Sequence, residues 1–170
     1  MKDSRKEIID ILLKSYTAYY DITDYGTSRE PLRALCEYYE HAEKYMVSKK
    51  VSLWAADSEE FIYLFEVPHL TLKLFEECKE TAFGDGMERL NIGPGHMYSY
   101  ITPVIVCDTC DENAEKALKR CHIYKSFHFS LHGWMDFHAA AVIRDSDRII
   151  SNRAGRTTAK ILKKVLFSKK

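Results

Sequence analysis

The sequence predicts an α+β fold: a largely antiparallel sheet of about five to six strands packed in two layers with about four to five helices. Three observations carry this reading. Amphipathic helical patterns open and close the chain, β-rich runs in between are separated by short turn signals, and residues 125–144 alternate apolar and polar side chains with period two. The 170 residues form one domain, 1–170, with no internal repeat or low-complexity segment.

Taken in order, Ile8, Leu12, Tyr16 and Tyr19 make one helical stripe over residues 4–20, with Asp3 or Ser4 as N-cap. Residues 21–27 read as a turn. Ser28 then caps a second helix, with Pro31 in its first turn and Leu32, Leu35, Cys36, Tyr39, Ala42 and Met46 on its buried side. Val51 to Ala56 and Phe61 to Val67 read as a hairpin across Asp57-Ser58-Glu59-Glu60, ended by Pro68. Leu70 to Phe83 has helical spacing, and the glycines at 84, 86, 93 and 95 mark a loop with one helical turn near Met87 to Leu90. Met97 to Cys107 is a strand whose Pro103 argues for an edge position or a break.

The helix expected at 109–121 has Asp111, Glu112 and Glu115 at its start and Lys116, Lys119, Arg120 and His122 at its end, matching the helix dipole. Thr109-Cys110-Asp111-Glu112 fits a capping box. The alternating run 125–144 is too long for one strand, so a reversal near Gly133 is expected. A three-residue turn, His132-Gly133-Trp134, pairs Leu131 with Met135 and Phe129 with Phe137 and keeps the apolar set on one face. Residues 144–148 form a charged turn, 149–151 a last strand, and 157–167 a terminal helix with Ile161, Leu162, Val165 and Leu166 facing inward.

Composition narrows the function classes. With 46% hydrophobic, 29% charged, seven Gly and four Pro, the chain is neither disordered nor fibrous. The formal charge is zero but unevenly spread: from Arg148 onward there are eight basic residues and no acid, leaving residues 1–147 with a net charge of −8. Such a segment suits an anionic ligand or protein partner, and equally a tail docked on the chain's own acidic body. No run is long and apolar enough to cross a membrane; the longest uncharged stretch, Asn91 to Cys107, is broken by two glycines and two prolines. Asp10 interrupts the apolar patch Ile8 to Leu13, so no signal-peptide core is read there, and five cysteines without regular spacing point to a reducing cytoplasm. The seven tyrosines before residue 46 are read as amphipathic rings with their hydroxyls at the surface.

Three constellations can carry chemistry. In the register above His128 lies opposite His138, and with Asp136 they form a two-histidine, one-carboxylate set suited to a divalent metal, zinc or iron, that activates water; the other reading is a water-facing sheet side. Cys107 and Cys110 form a C-x-x-C before a helix, a redox or zinc pattern opposed by Asp108, Asp111 and Glu112, which disfavour the thiolate. Arg153, Arg156, Thr157 and Thr158 lie where a glycine-containing loop enters a helix, a place where backbone N–H groups bind anions; an ordinary cap with Thr157 at its head is the simpler account. Neither nucleotide-binding glycine motif is present, nucleic acid has no motif support, and Glu77-Cys78-Lys79, spaced like a nuclease motif, falls in a helix.

The stretches Ser130-Leu131-His132-Gly133-Trp134 and Asn152-Arg153-Ala154-Gly155-Arg156 resemble those of short, uncharacterised prokaryotic proteins, over roughly the C-terminal two thirds of the chain. That resemblance implies no activity and no functional residues. Two functional readings follow from the residues themselves. The first is a small non-catalytic binding or assembly domain whose anionic ligand or partner meets residues 148–170; the alternative is a metal-dependent enzyme built on His128, Asp136 and His138.

Overall fold

The structure, a computed structural model, describes residues 3–45 and 52–167. Helix α1 (Arg5–Tyr16) is followed by strands β1 (Asp21–Asp24), β2 (Leu32–Tyr45) and β3 (Ser52–Leu70), helix α2 (Leu72–Arg89), strand β4 (His96–Cys110) and helix α3 (Glu112–Arg120). Strands β5 (Tyr124–Ser126), β6 (Trp134–Phe137), β7 (Ala140–Ile143) and β8 (Arg148–Ser151) lead to helix α4 (Arg156–Phe167). The α+β class holds, with eight strands in one sheet rather than five to six. Four of its pairings are antiparallel and three parallel, the latter joining β4 to β3, β6 and β7.

The layer count also differs from expectation. On one sheet face Ile8, Ile9 and Leu12 of α1 and Leu162 of α4 pack on Ile62, Leu64, Val104 and Val142. On the other, Phe75 and Ala82 of α2 and Leu118 of α3 pack on Phe61, Tyr63, Ile101 and Phe137. The sheet is thus sandwiched between two helical layers, and residues Phe61, Ile62, Tyr63, Leu64 and Phe65 are all buried. A strand covered on both faces loses the alternation that marks a strand with one wet side.

That loss explains the largest correction. The expected second helix over 28–46 is strand β2, in which Leu32, Ala34, Leu35 and Cys36 are buried on alternate faces; such a run satisfies a helical template equally well. Residue 46 lies outside the described residues. The expected hairpin at 57–60 is instead the middle of β3, continuous over 19 residues; Val51 again lies outside the described part. Pro68 does not end this strand. Glu66 N–H donates to Pro31 O at the last position beside β2, so two residues on the missing N–H of Pro68 faces a side with no strand.

Pro103 is likewise central, opposite Tyr63, where β4 passes from its pairing with β6 to its pairing with β7. The break falls in its neighbour. Helix α2 runs through both Gly84 and Gly86 to Arg89, where a loop was expected, because α2 sits directly on β4: a Cβ at Gly86 would lie 2.7 Å from Ile101 Cδ1. Residues 21–24, read as a turn, form edge strand β1. Ser4 caps α1 in a reciprocal box with Glu7, but the box expected at Thr109 is absent, because β4 continues through Cys110 and Asp111 becomes the N-cap of α3.

The reversal near Gly133 exists with a different register. Strand β5 pairs with β6 as Tyr124↔Asp136, Lys125↔Met135 and Ser126↔Trp134, joined by residues 127–133. His128, Phe129 and Ser130 all adopt left-handed backbone (φ 48, 53 and 66°), a turn that no glycine or asparagine announces in the sequence. A buried polar chain pins the far end of this loop. His96 Nδ1–H donates to His132 O at 2.6 Å, its Nε2 meets Ser99 Oγ at 2.6 Å, and the Ser99 hydroxyl donates to Glu59 Oε2 at 2.9 Å.

Gly133 (φ 72°) closes against this anchor, and an added Cβ would stand 2.2 Å from Met97 O. The obstacle is backbone and cannot rotate away. Gly133→Ala is expected to destabilise the fold by about 2–3 kcal/mol, through left-handed strain plus overpacking. Urea unfolding should show a lower midpoint with an unchanged slope; a shift within about 0.5 kcal/mol contradicts this account of the loop.

Candidate functional site

The basic C-terminal segment is set in place by Asn152. Its buried amide Nδ2 donates to Phe137 O (2.7 Å) and Cys121 O (3.0 Å), and its Oδ1 accepts from Gly155 N–H (2.7 Å), which shapes the turn into α4. Arg153, Arg156 and Thr157 are exposed at this helix start, while Thr158 is buried. Thr157 lies within the helix rather than at its N-cap, and Ile161, expected inside, is half exposed. At about 100° per residue, Arg156, Lys160, Lys163 and Lys164 share one exposed arc of roughly 100°.

None of these four cations, nor Arg153, makes an ion pair among the described residues. Elsewhere the cations are largely matched: Lys116 with Glu112, Lys119 and Arg148 with Glu115, Arg89 with Glu37 and Asp85, Arg144 with Asp108 and Asp145. Helix α4 has no acidic residue to play that part.

Of the expected metal set, the structure brings Asp136 and His138 together, with Oδ2 3.8 Å from Nε2, and leaves His128 outside. His128 lies in the 127–133 loop and stacks on His132 at 4.8 Å between ring centroids. Among the described residues no group of three His, Cys, Asp or Glu is placed to hold a metal ion. The reason is the register, which pairs Asp136 with Tyr124 and sends His128 beyond the end of β5.

Asp136 and His138 instead belong to a row of aromatic and acidic side chains on the sheet face that bears α1 and α4. The pairings place Tyr38, Glu60, Tyr100 and Asp136 side by side across β2, β3, β4 and β6, with Tyr98 and Trp134 in the next row. The rings touch: Tyr100 stacks on His138 (4.2 Å) and on Tyr98 (4.9 Å), Tyr98 meets Trp134 (6.0 Å), and Tyr20 meets both Tyr16 (5.2 Å) and Tyr38 (5.5 Å). Glu60 stands between the two groups. It accepts from the Tyr20 hydroxyl (2.7 Å) and the Thr102 hydroxyl (3.1 Å), and it lines a cleft of about 270 Å³ between α1 and α4 together with Tyr16, Tyr19, Ile62, Thr158 and Ile161.

Electrostatics follow from this burial. Desolvation pushes the Tyr20 phenol well above its usual range, and the Glu60 charge adds to it. Desolvation lowers the His138 imidazole below its ordinary value, against the opposing pull of Asp136 and Glu60. The cysteines of the C-x-x-C are free thiols. Burial first, then Cys110 and Asp108, raises Cys107 to about 12, and Cys110 is raised as well, chiefly by burial with Glu115 and Asp111. Neither has the lowered pKa that a redox nucleophile needs.

A family model described as a domain of unknown function, DUF8052, matches residues 4–164. The chain belongs to this family. Neither the curated proteins nor the solved structures contain a match to it. No helix of the DUF8052 chain, among the described residues, is long and apolar enough to cross a membrane.

Sequence reasoning missed Glu60, Tyr98 and Tyr100, because it read Glu60 as part of an acidic turn and weighed the tyrosines only as a group near the N-terminus. Glu60 closes the acidic run Asp57-Ser58-Glu59-Glu60 just before the apolar run 61–65, so nothing local set it apart from its neighbours. Two measurements check the site's electrostatics. As pH falls below the ordinary imidazole value of 6.5, the unfolded chain takes up a proton that the folded chain resists at His138. Stability should therefore fall on acidification, and less steeply in His138→Gln; parallel curves for the two proteins would contradict the buried neutral imidazole. Alkylation by iodoacetamide at pH 8 should spare Cys107 in the folded protein and modify it in urea, and rapid labelling of the native thiol would refute its burial.

Proposed function

We propose that this protein is a non-catalytic binding domain in which α4 and the turn before it meet a phosphate-bearing anionic partner. The observation that carries the reading is the set of five exposed cations, Arg153, Arg156, Lys160, Lys163 and Lys164, none of which makes an ion pair among the described residues, whereas most of the other described cations do. A single-sign arc on a helix raises the local concentration of anions and gives salt-sensitive association. Thr157 is exposed beside Arg153 and Arg156 and can donate a hydroxyl to the same anion; Thr158 faces the α1 cleft and is left out of this surface.

The alternative, a metal-dependent enzyme using His128, Asp136 and His138, has less support, since His128 lies in a separate loop. Inorganic polyphosphate is the probe that tests the preferred reading. Binding is expected to weaken steeply between about 50 and 200 mM salt, and by at least about tenfold in an Arg153→Ala, Arg156→Ala, Lys160→Ala variant. Affinity that is indifferent to salt, or unchanged in the variant, contradicts an anionic partner at α4.

A further inference from the structure

The aromatic row beside Glu60 is the other large feature of the surface, and its chemistry is opposite to that of α4. Helices α1 and α4 are 12 residues each, about 18 Å, whereas β2 and β4 run for 14 and 15 residues, about 45–50 Å. The two helices therefore cover only part of their sheet face. The remaining part begins at Glu60 and carries Tyr38, Tyr98, Tyr100, Trp134 and Asp136, all only partly buried.

Charge on this surface is one-sided. Glu60 and Asp136 make no ion pair with any Lys or Arg among the described residues. His138, which lies beside Asp136, has its imidazole pKa lowered by burial against the pull of Asp136 and Glu60, and Lys125 of neighbouring β5 points to the other face, over the Phe83 ring. Each Glu60 oxygen accepts one hydroxyl proton, from Tyr20 or Thr102, and a carboxylate has about four lone-pair sites, so capacity for further N–H donors is left. Aromatic faces attract cations through their quadrupole, and the attraction grows when water is excluded. A phosphate or a nucleotide would meet two carboxylates and no positive group here. A neutral sugar would find rings to stack on but would leave the negative charge uncompensated.

We propose that the cleft between α1 and α4 binds a small organic cation, a primary amine or quaternary ammonium, with Glu60 as its counter-charge, Tyr16, Tyr19 and Tyr20 as walls, and Tyr100 and Asp136 of the adjoining row as a further ring and anion beside Glu60. The cleft volume of about 270 Å³ accommodates a ligand of only a few carbon atoms beside its charged head. This site is separate from the α4 cation arc, so its occupancy does not depend on an anionic partner there.

Calorimetric titration of the full chain with choline, n-butylammonium and the neutral choline isostere 3,3-dimethyl-1-butanol tests the proposal. At least one of the two cations should bind with one-to-one stoichiometry, and the neutral alcohol at least about tenfold more weakly than choline or butylammonium, whichever is tighter. Glu60→Gln keeps an acceptor for one of the two hydroxyls and offers its amide N–H to the other, which can turn to accept, and it should weaken the cation by at least about tenfold, with Asp136→Asn and Tyr100→Leu each costing several-fold. If Glu60→Gln fails to fold, the Asp136→Asn loss and the preference for cation over isostere remain as readouts. Equal affinity for cation and alcohol, or no binding of either cation at millimolar concentration, overturns the proposal. So does unchanged cation affinity in a folded Glu60→Gln.

Discussion

Everything in this molecule is hung on the parallel pairing of β3 and β4. The two strands run together from Asp57 beside His96 to Leu70 beside Cys110, and they occupy the middle of the sheet. A parallel pair requires a crossover, which α2 supplies, and the next parallel connection, from β4 to β6 and β7, is supplied by α3. Both crossovers cover one face. The opposite face of the same strands would be left in water if α1 and α4, from the two ends of the chain, did not close over it.

This arrangement also decides where polar groups sit. Adjacent residues of a strand point to opposite faces, so Glu59 and Glu60 have different fates one peptide apart. Glu59 turns into the α2 side, where Ser99 and the backbone N–H of Asn91 satisfy its oxygens and His96 extends the chain to the 127–133 loop. Glu60 turns to the α1 side, where two hydroxyls satisfy it in part and the rest of its carboxylate faces a cleft. One carboxylate holds a loop in place and the other lines a cleft. The same asymmetry extends to the surface: cations collect on the outside of α4 and carboxylates among the rings of the neighbouring sheet face.

Legibility in the sequence followed burial. Helices α1, α3 and α4 each have one wet face, and their apolar spacing and terminal charges place them within a few residues of where they lie. Strands β2 and β3 are covered on both sides where they are buried, at the start of β2 and the middle of β3, so their apolar runs carry no period, and one was read as a helix and the other as a hairpin. The candidate site was half visible. Asp136 and His138 were identified as neighbours because they are two residues apart, whereas His128 depended on a register that three left-handed residues displaced. Glu60 and Tyr100 are forty residues apart, and only the parallel pairing of their strands makes them partners.

By itself the amino-acid order determined the α+β class, the ends of the helices with one wet face, and the segregation of positive charge to the last helix. Each of these depends on interactions among residues within a turn or two of one another. Strand order, the third layer and the gathering of rings about Glu60 were decided by tertiary structure alone. They rest on hydrogen-bond registers between distant segments, and a shift of one residue in any of them moves every side chain of that strand to the other face.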